Sequence, residues 1–457
     1  MMRGLGKRFL ALLILAGWMG CDLLSSEGKG RDWASLGGLT SADAVFSNAF
    51  QLPAGNLSPA EIEEHRLSDV AFESIFVTAP ATVNSGLGPI YNQNACSSCH
   101  SKNGRAAFPT NDDLGGLLFR LSLDGTGPMG EPREVPRFGG QLQTKAIFGN
   151  VPEGKVQIGF TEIVGQFPDG ETYRLRKPSY TLTHPYALMP SHVRISPRIA
   201  PPIIGLGLLE AISEADILRN ADEQDVNKDG ISGRPNYVWS IENGQQMLGR
   251  FGWKANQPTL RQQNAAAYRD DMGITSPLYR TESFSDQPQH DGRADDPEIN
   301  ERTLYLATYY TQSLAVPTAR NQEDSDIQNG RRLFFKVGCE HCHKSSFTTA
   351  HQAPFTFLAN QKIRPYTDLL LHDMGEGLAD HRPDFLATGH EWRTPPLWGI
   401  GLTQVVSGHT HFLHDGRARN LQEAILWHGG EAEATVMRYK QLHKKERDLI
   451  LKFLNSL

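Results

Sequence analysis

The stretch that decides the reading is Asp326-Ile-Gln-Asn-Gly330-Arg-Arg-Leu-Phe-Phe-Lys-Val-Gly338-Cys339-Glu-His-Cys342-His343. Asp326 is suited to cap a helix, and Ile327, Leu333, Phe334 and Val337 then share one helical face. Gly338 stops that helix, and Cys339-Glu-His-Cys342-His343 follows at once. C-x-x-C-H is the attachment sequence of c-type haem. Two thiols three residues apart can each bond one vinyl group of a single haem, and the adjoining His reaches the iron. A zinc site would need two more ligands close by. The pentapeptide recurs upstream as Cys96-Ser-Ser-Cys99-His100. Two covalent haems are therefore expected, held by Cys96, Cys99 and His100 and by Cys339, Cys342 and His343.

Working outward, Leu449, Ile450 and Phe453 form an apolar stripe over Glu446–Leu457 that could pack on the helix before Cys339. A helix-like stretch over Ser58–Glu73 and the glycine-rich run Gly86-Leu-Gly-Pro-Ile-Tyr-Asn92 precede the first motif. Val156, Ile158 and Phe160 alternate, Asp169-Gly170 makes a turn, and Tyr173 and Leu175 alternate again, which reads as a β-hairpin. The fold expected is mainly α, with two cytochrome c-like haem domains. The first spans 45–315 and is enlarged by a small β-hairpin or sheet insertion and long ordered loops; the second spans 320–457.

The 457 residues suffice for cores that need no disulfide staples. Lys plus Arg is 45 against 51 Asp plus Glu, and a net charge of −6 without a basic stripe excludes nucleic acid as a partner. Gly (44) and Pro (27) exceed average usage, in keeping with short elements and long loops. At the N-terminus, Arg3, Lys7 and Arg8 precede the apolar run 9–20, too short to span a membrane and laid out as a secretory signal. Cys21 then stands where a bacterial lipoprotein is cleaved and acylated, although Trp18 departs from that pattern. An ordinary signal cleaved near Ser25 and an uncleaved anchor are the alternatives. The expectation is an exported, periplasmic lipoprotein: a 1–21 signal, a 22–44 tether and a lipid-anchored chain.

Asp225-Val-Asn227-Lys-Asp229-Gly230-Ile231 matches the start of a calcium loop, with Asp225, Asn227, Asp229 and Ile231 as ligands. Asn236 stands where the bidentate Glu would be. An Asx-rich turn without Ca2+ is the other reading.

Arg393-Thr-Pro-Pro-Leu-Trp398-Gly, Phe412-Leu-His-Asp-Gly416-Arg-Ala and Leu421-Gln-Glu-Ala-Ile-Leu-Trp-His428-Gly-Gly resemble bacterial di-haem oxidoreductases, relatives of the di-haem cytochrome c peroxidases. Arg250-Phe-Gly-Trp253-Lys-Ala, Ile204-Gly-Leu-Gly-Leu-Leu-Glu-Ala211 and Leu370-Leu-His372-Asp-Met374-Gly extend the likeness over nearly all of the mature chain. It implies a peroxidase in which a second haem relays electrons to a peroxide-cleaving first haem. It also implies a second axial ligand at His428, with Met374 as the rival. In Gln143-Thr-Lys-Ala-Ile-Phe-Gly-Asn150-Val-Pro-Glu153 the ten-residue interval matches that of the peroxidases. Glu153 is thus the implied acid–base group and Gln143 the positioning group, with Gln141 able to exchange with Gln143. His184 and His192 are candidates for a sixth ligand of the first haem. The implied partners are hydrogen peroxide and a small electron donor: a cytochrome, a cupredoxin or a quinol-linked protein. The other reading is a periplasmic di-haem electron carrier with both irons six-coordinate, and relatives that oxidise proteins or organic substrates widen the enzyme class.

Overall fold

Ser58 starts the first long helix. Its hydroxyl accepts from the Glu61 amide while the Glu61 carboxylate accepts from the Ser58 amide, so two amides that lack helical partners are satisfied reciprocally. That helix, Pro59–Glu73, packs on Glu301–Ser313, as does Leu260–Met272. In this computed structural model the described residues are 33–110, 113–283, 288–289, 292–293 and 295–457. The signal-like segment and Cys21 lie outside them. Among the described residues no helix is long and apolar enough to cross a membrane.

The helix before the second motif runs Ser325–Val337, and Gly338 ends it at φ +98°, a conformation that favours glycine. The cap is Asp324 rather than Asp326; its carboxylate accepts from the Asp326 and Ile327 amides. As the apolar stripe predicts, this helix packs on the C-terminal one, Lys444–Leu454, with the rings of Phe334 and Phe453 5.4 Å apart. The hairpin also forms where the alternation predicts it. Lys155–Gln166 pairs antiparallel with Thr172–Thr183, and Gly170 turns the chain at φ +89°.

The fold is not mainly α, and it is not a pair of cytochrome c-like domains. Only 29 % of the described residues are helical. The described residues contain 11 α-helices, five of them of four to six residues, beside 12 strands in six separate two-stranded antiparallel pairs. Glycine and proline explain the shortage of helix, because they interrupt helical stretches before these can propagate. Smaller clusters such as Phe76, Tyr268 and Leu304 lie within the first half, but the main one spans both. It runs from Leu36 through Phe119, Ile204, Trp253 and Phe334 to Leu457.

The tether read over 22–44 is also shorter than expected. Trp33 lies between the guanidinium groups of Arg331 and Arg364, at 4.0 and 3.8 Å. Leu36 is buried, and its carbonyl accepts from the Arg364 amide. Apolar Trp33 and Leu36 thus draw residues 33–44 onto the body of the protein.

Gly330 lets the two packed helices meet, since a Cβ there would lie 2.0 Å from the Leu449 carbonyl oxygen. Gly330→Ala is therefore expected to destabilise the full chain by about 1–3 kcal/mol. Denaturant melts of wild type and variant measure the difference, and equal midpoints would show that the helices can separate without cost.

Candidate functional site

Each C-x-x-C-H motif opens onto a cleft, and the two clefts are of equal size, about 1570 Å³ measured out to the solvent. In the first, Cys96 and Cys99 lie on the short helix Cys96–Cys99 with His100 as its cap. The Nδ1 of His100 lies 2.8 Å from the Pro201 carbonyl oxygen. In the second, Nδ1 of His343 lies 2.9 Å from the Tyr366 carbonyl oxygen. Donation by Nδ1–H leaves Nε2 with a free lone pair aimed into the cleft, the arrangement of a metal-ligating imidazole. Burial pushes both rings down to about 4, so they are neutral at pH 7 and able to ligate.

The second cleft is rich in imidazoles. His343, His372, His414 and His428 all line it. His428 repeats the pattern of the proximal rings: Nδ1 lies 2.7 Å from the Ala424 carbonyl oxygen, and burial lowers its pKa. Met374, the rival ligand, lies in the same wall. His372 is committed elsewhere, between Glu431 at 2.6 Å and Asp368 at 2.8 Å. Asp368 and the Cys342 sulfur hold it well above the ordinary imidazole range despite its burial.

His414 went unassigned in the sequence, although its segment was singled out. Its ring stacks on Trp392 at 3.8 Å, its Nδ1 meets the Pro197 carbonyl at 3.1 Å, and its buried Nε2 has no partner. Trp398 Nε1, in the same wall, is also buried without a partner. Orphaned polar atoms in an apolar wall fit a large, mostly apolar group with a few polar edges. The residues present therefore fit haem.

The first cleft differs. Among its described lining residues His100 is the single histidine; its polar lining includes Arg120, Asp271, Gln93 and Arg250. His184 and His192 are exposed and outside this lining. The Gln143–Glu153 pair does come together, with the Glu153 carboxylate accepting from the Gln143 amide at 2.6 Å. Yet neither residue lines the cleft. Gln143 Nε2 donates to the Asp270 carbonyl, so the pair buttresses the segment that forms the wall.

The carboxyl that reaches the cleft is Asp271, which sequence reasoning missed. Gln141 Nε2 donates to it at 2.8 Å, and the Oε1 of Gln141 is buried without a partner. Burial pushes Asp271 up to about 6, against the opposing pull of Arg120 and the Gln141 bond. Asp271 sits at the end of an ordinary-looking helix, Leu260–Met272, and no local motif marks it.

Arg105, Trp253 and Arg393 line both clefts and form the partition between them. The Arg105 guanidinium lies 5.4 Å from the centre of the Trp253 ring, whose Nε1 donates to the Ile199 carbonyl at 2.8 Å. Next to the partition, Lys254 is fully buried, donating to Asp380 and to the Arg382 and Thr388 carbonyls at 2.7–2.9 Å. Its ammonium lies 4.5 Å from the Trp392 ring. With all three protons used, the charge is tolerated, though burial lowers its pKa to about 8.

In the 225–231 loop several side-chain oxygens accept from backbone amides, and Asp229 Oδ2 also meets His341 Nδ1 at 3.3 Å. Asp225, Asn227 and Asp229 accept from the amides of Gly230, Asp229 and Ile231, as in Asx turns. Asn236, at the closing position, donates to the Lys254 and Asp384 carbonyls instead.

Paired clefts of this kind define a two-centre redox protein. A family model described as "Di-haem oxidoreductase, putative peroxidase" matches residues 33–114 and 127–457. The chain belongs to that family and is an oxidoreductase of the di-haem type. No curated protein matches it. Among solved structures, a chain of the hydrazine synthase of Kuenenia stuttgartiensis, pressurised with xenon, aligns with 14 % identity and a TM-score of 0.37, covering 99 % of this chain and 100 % of that one.

Proposed function

We propose that the protein is an exported di-haem c-type peroxidase, reducing hydrogen peroxide to two waters with two electrons and two protons. The observation that carries this reading is the asymmetry of the clefts: among the described residues one histidine lines the first and four line the second. His343 and His428, both anchored through Nδ1, suit a six-coordinate centre that takes and passes electrons. His100 alone suits a centre with an open position. Bound in the first cleft, haem supplies an iron at which peroxide can be cleaved. Asp271 then takes the proton from the near oxygen of peroxide and returns it to the leaving one, with Arg120 balancing its charge and Gln141 fixing its orientation. Trp253 and Arg105 make up the partition that electrons from a small donor protein cross. Export agrees with c-type attachment and with the basic-then-apolar segment ahead of Cys21, which we take as the lipid anchor.

Covalent attachment is tested by acid acetone. Both haems are expected to stay on the polypeptide, and Cys99→Ala and Cys342→Ala to lose one attachment each. Extraction of most of the haem from the wild type would remove the basis of the reading.

His428→Met is expected to raise the reduction potential of the second centre, because a thioether favours ferrous iron relative to imidazole. A redox titration followed optically measures this. An unchanged potential and spectrum would transfer the ligand role to His414 or Met374.

Asp271→Asn keeps the shape and removes the proton acceptor, so peroxide turnover should fall by about 10²–10⁴. The base form is needed, and the carboxyl titrates at about 6. Wild-type turnover is therefore expected to rise as pH increases through that value, and the variant's profile to be flat there. Glu153→Gln, behind the wall, should keep the wild-type profile. A profile for Asp271→Asn that matches the wild type would return the acid–base role to Glu153.

A further inference from the structure

We propose that Glu376, His381 and His390 form a binding site for a divalent first-row metal ion on the outer wall of the second cleft. Among the described residues, two groups of three possible ligands have atoms within 4.8 Å of one another. One of them, Cys342, Asp368 and His372, belongs to the cleft already described. The other stands apart from any motif. His381 Nε2 lies 3.2 Å from one oxygen of the Glu376 carboxylate, and His390 Nε2 lies 3.1 Å from the other. Tetrahedral bonds of 2.0–2.1 Å place neighbouring ligand atoms about 3.3–3.4 Å apart, so each imidazole is close to the required distance from one carboxylate oxygen, and an ion held by both rings would engage the carboxylate through both oxygens. Closing the third edge needs only a small rotation of two partly exposed rings.

The backbone holds the ligands in place. The amides of Asp380 and His381 both donate to the Gly389 carbonyl, and the amide of Met374 donates to the His390 carbonyl. Gly389 has no room for a side chain: a Cβ there would lie 2.3 Å from the Cα of His381. His381 itself adopts φ +57°, which is uncommon for a residue with a Cβ. Two imidazoles and one carboxylate suit zinc or copper(II), with water completing the shell.

The position gives such an ion a role. Met374 and Leu378, on either side of Glu376, and Trp392, two residues beyond His390, line the second cleft. Trp392 Nε1 donates to the Leu378 carbonyl at 3.0 Å, so the two strands of wall already touch below the site. An ion bridging Glu376 to His381 and His390 would staple them together at the rim. This inference does not depend on the peroxidase reading.

The test is calorimetric titration of untagged full-length protein with zinc chloride, and separately with copper(II) sulfate. One equivalent of at least one ion is expected to bind, with a Kd on the order of micromolar or tighter. Glu376→Gln and His390→Ala should each weaken that binding by about tenfold or more. Both positions are on the surface, so haem absorbance and circular dichroism should stay as in the wild type. Bound ion should also raise the wild-type Tm and leave that of the His381→Ala/His390→Ala double variant unmoved. Failure of both ions to bind at ~100 micromolar overturns the proposal. So does binding that the double variant retains in full, which would place the ion on other histidines.

Discussion

Two hydrogen bonds anchor the functional half of this molecule. Nδ1 of His100 meets the Pro201 carbonyl, and Nδ1 of His343 meets that of Tyr366. Each ties a cysteine motif to a segment distant in sequence, fixes the ring's rotation and settles which nitrogen stays free. Without them an imidazole next to a C-x-x-C pair could turn to solvent or protonate. The carbonyls are available because both segments run as extended, proline-rich or irregular backbone, which leaves oxygen lone pairs outside any helix or sheet.

The same preference for irregular backbone shapes the clefts. A wall built from regular helices would present mainly side chains. Here, segments such as 197–203 and 393–399 pass between the two sites and supply both apolar surface and backbone acceptors. The cost is that buried charge must be matched in place. Lys254 with Asp380, and Arg198 and Arg382 with Asp384, form ion pairs in the interior at 2.8–3.0 Å. Removing one member of such a set leaves an uncompensated charge, so this network keeps Trp392 and its stacked partner His414 in one arrangement.

The division of labour proposed for the clefts rests on their composition. Several neutral, carbonyl-anchored imidazoles line the second and would hold a haem iron there. Among the described residues the first has one histidine beside a buried carboxyl and an arginine, which would suit peroxide cleavage and proton movement. Trp253 and Arg105, in contact at 5.4 Å, line both clefts together with Arg393.

Spacing alone determined much of this protein. The two C-x-x-C-H pentapeptides, the helix ended by Gly338, its pairing with the C-terminal helix and the 155–183 hairpin all rest on local periodicity and covalent reach. Those are properties of neighbouring residues. The overall class was not legible there: apolar stripes suggested a mainly helical pair of domains, whereas glycine and proline keep most helices short and one core joins both halves. Asp271 was hidden because its raised pKa comes from burial, and its partner Gln141 arrives from a segment 130 residues away. The Gln143–Glu153 interval joins the Glu153 carboxylate to the Gln143 backbone amide, yet spacing could not say on which side of the wall they lie. His414 and the Glu376–His381–His390 group have the same origin. Their chemistry depends on which atoms converge in space, and that was decided only when the chain folded.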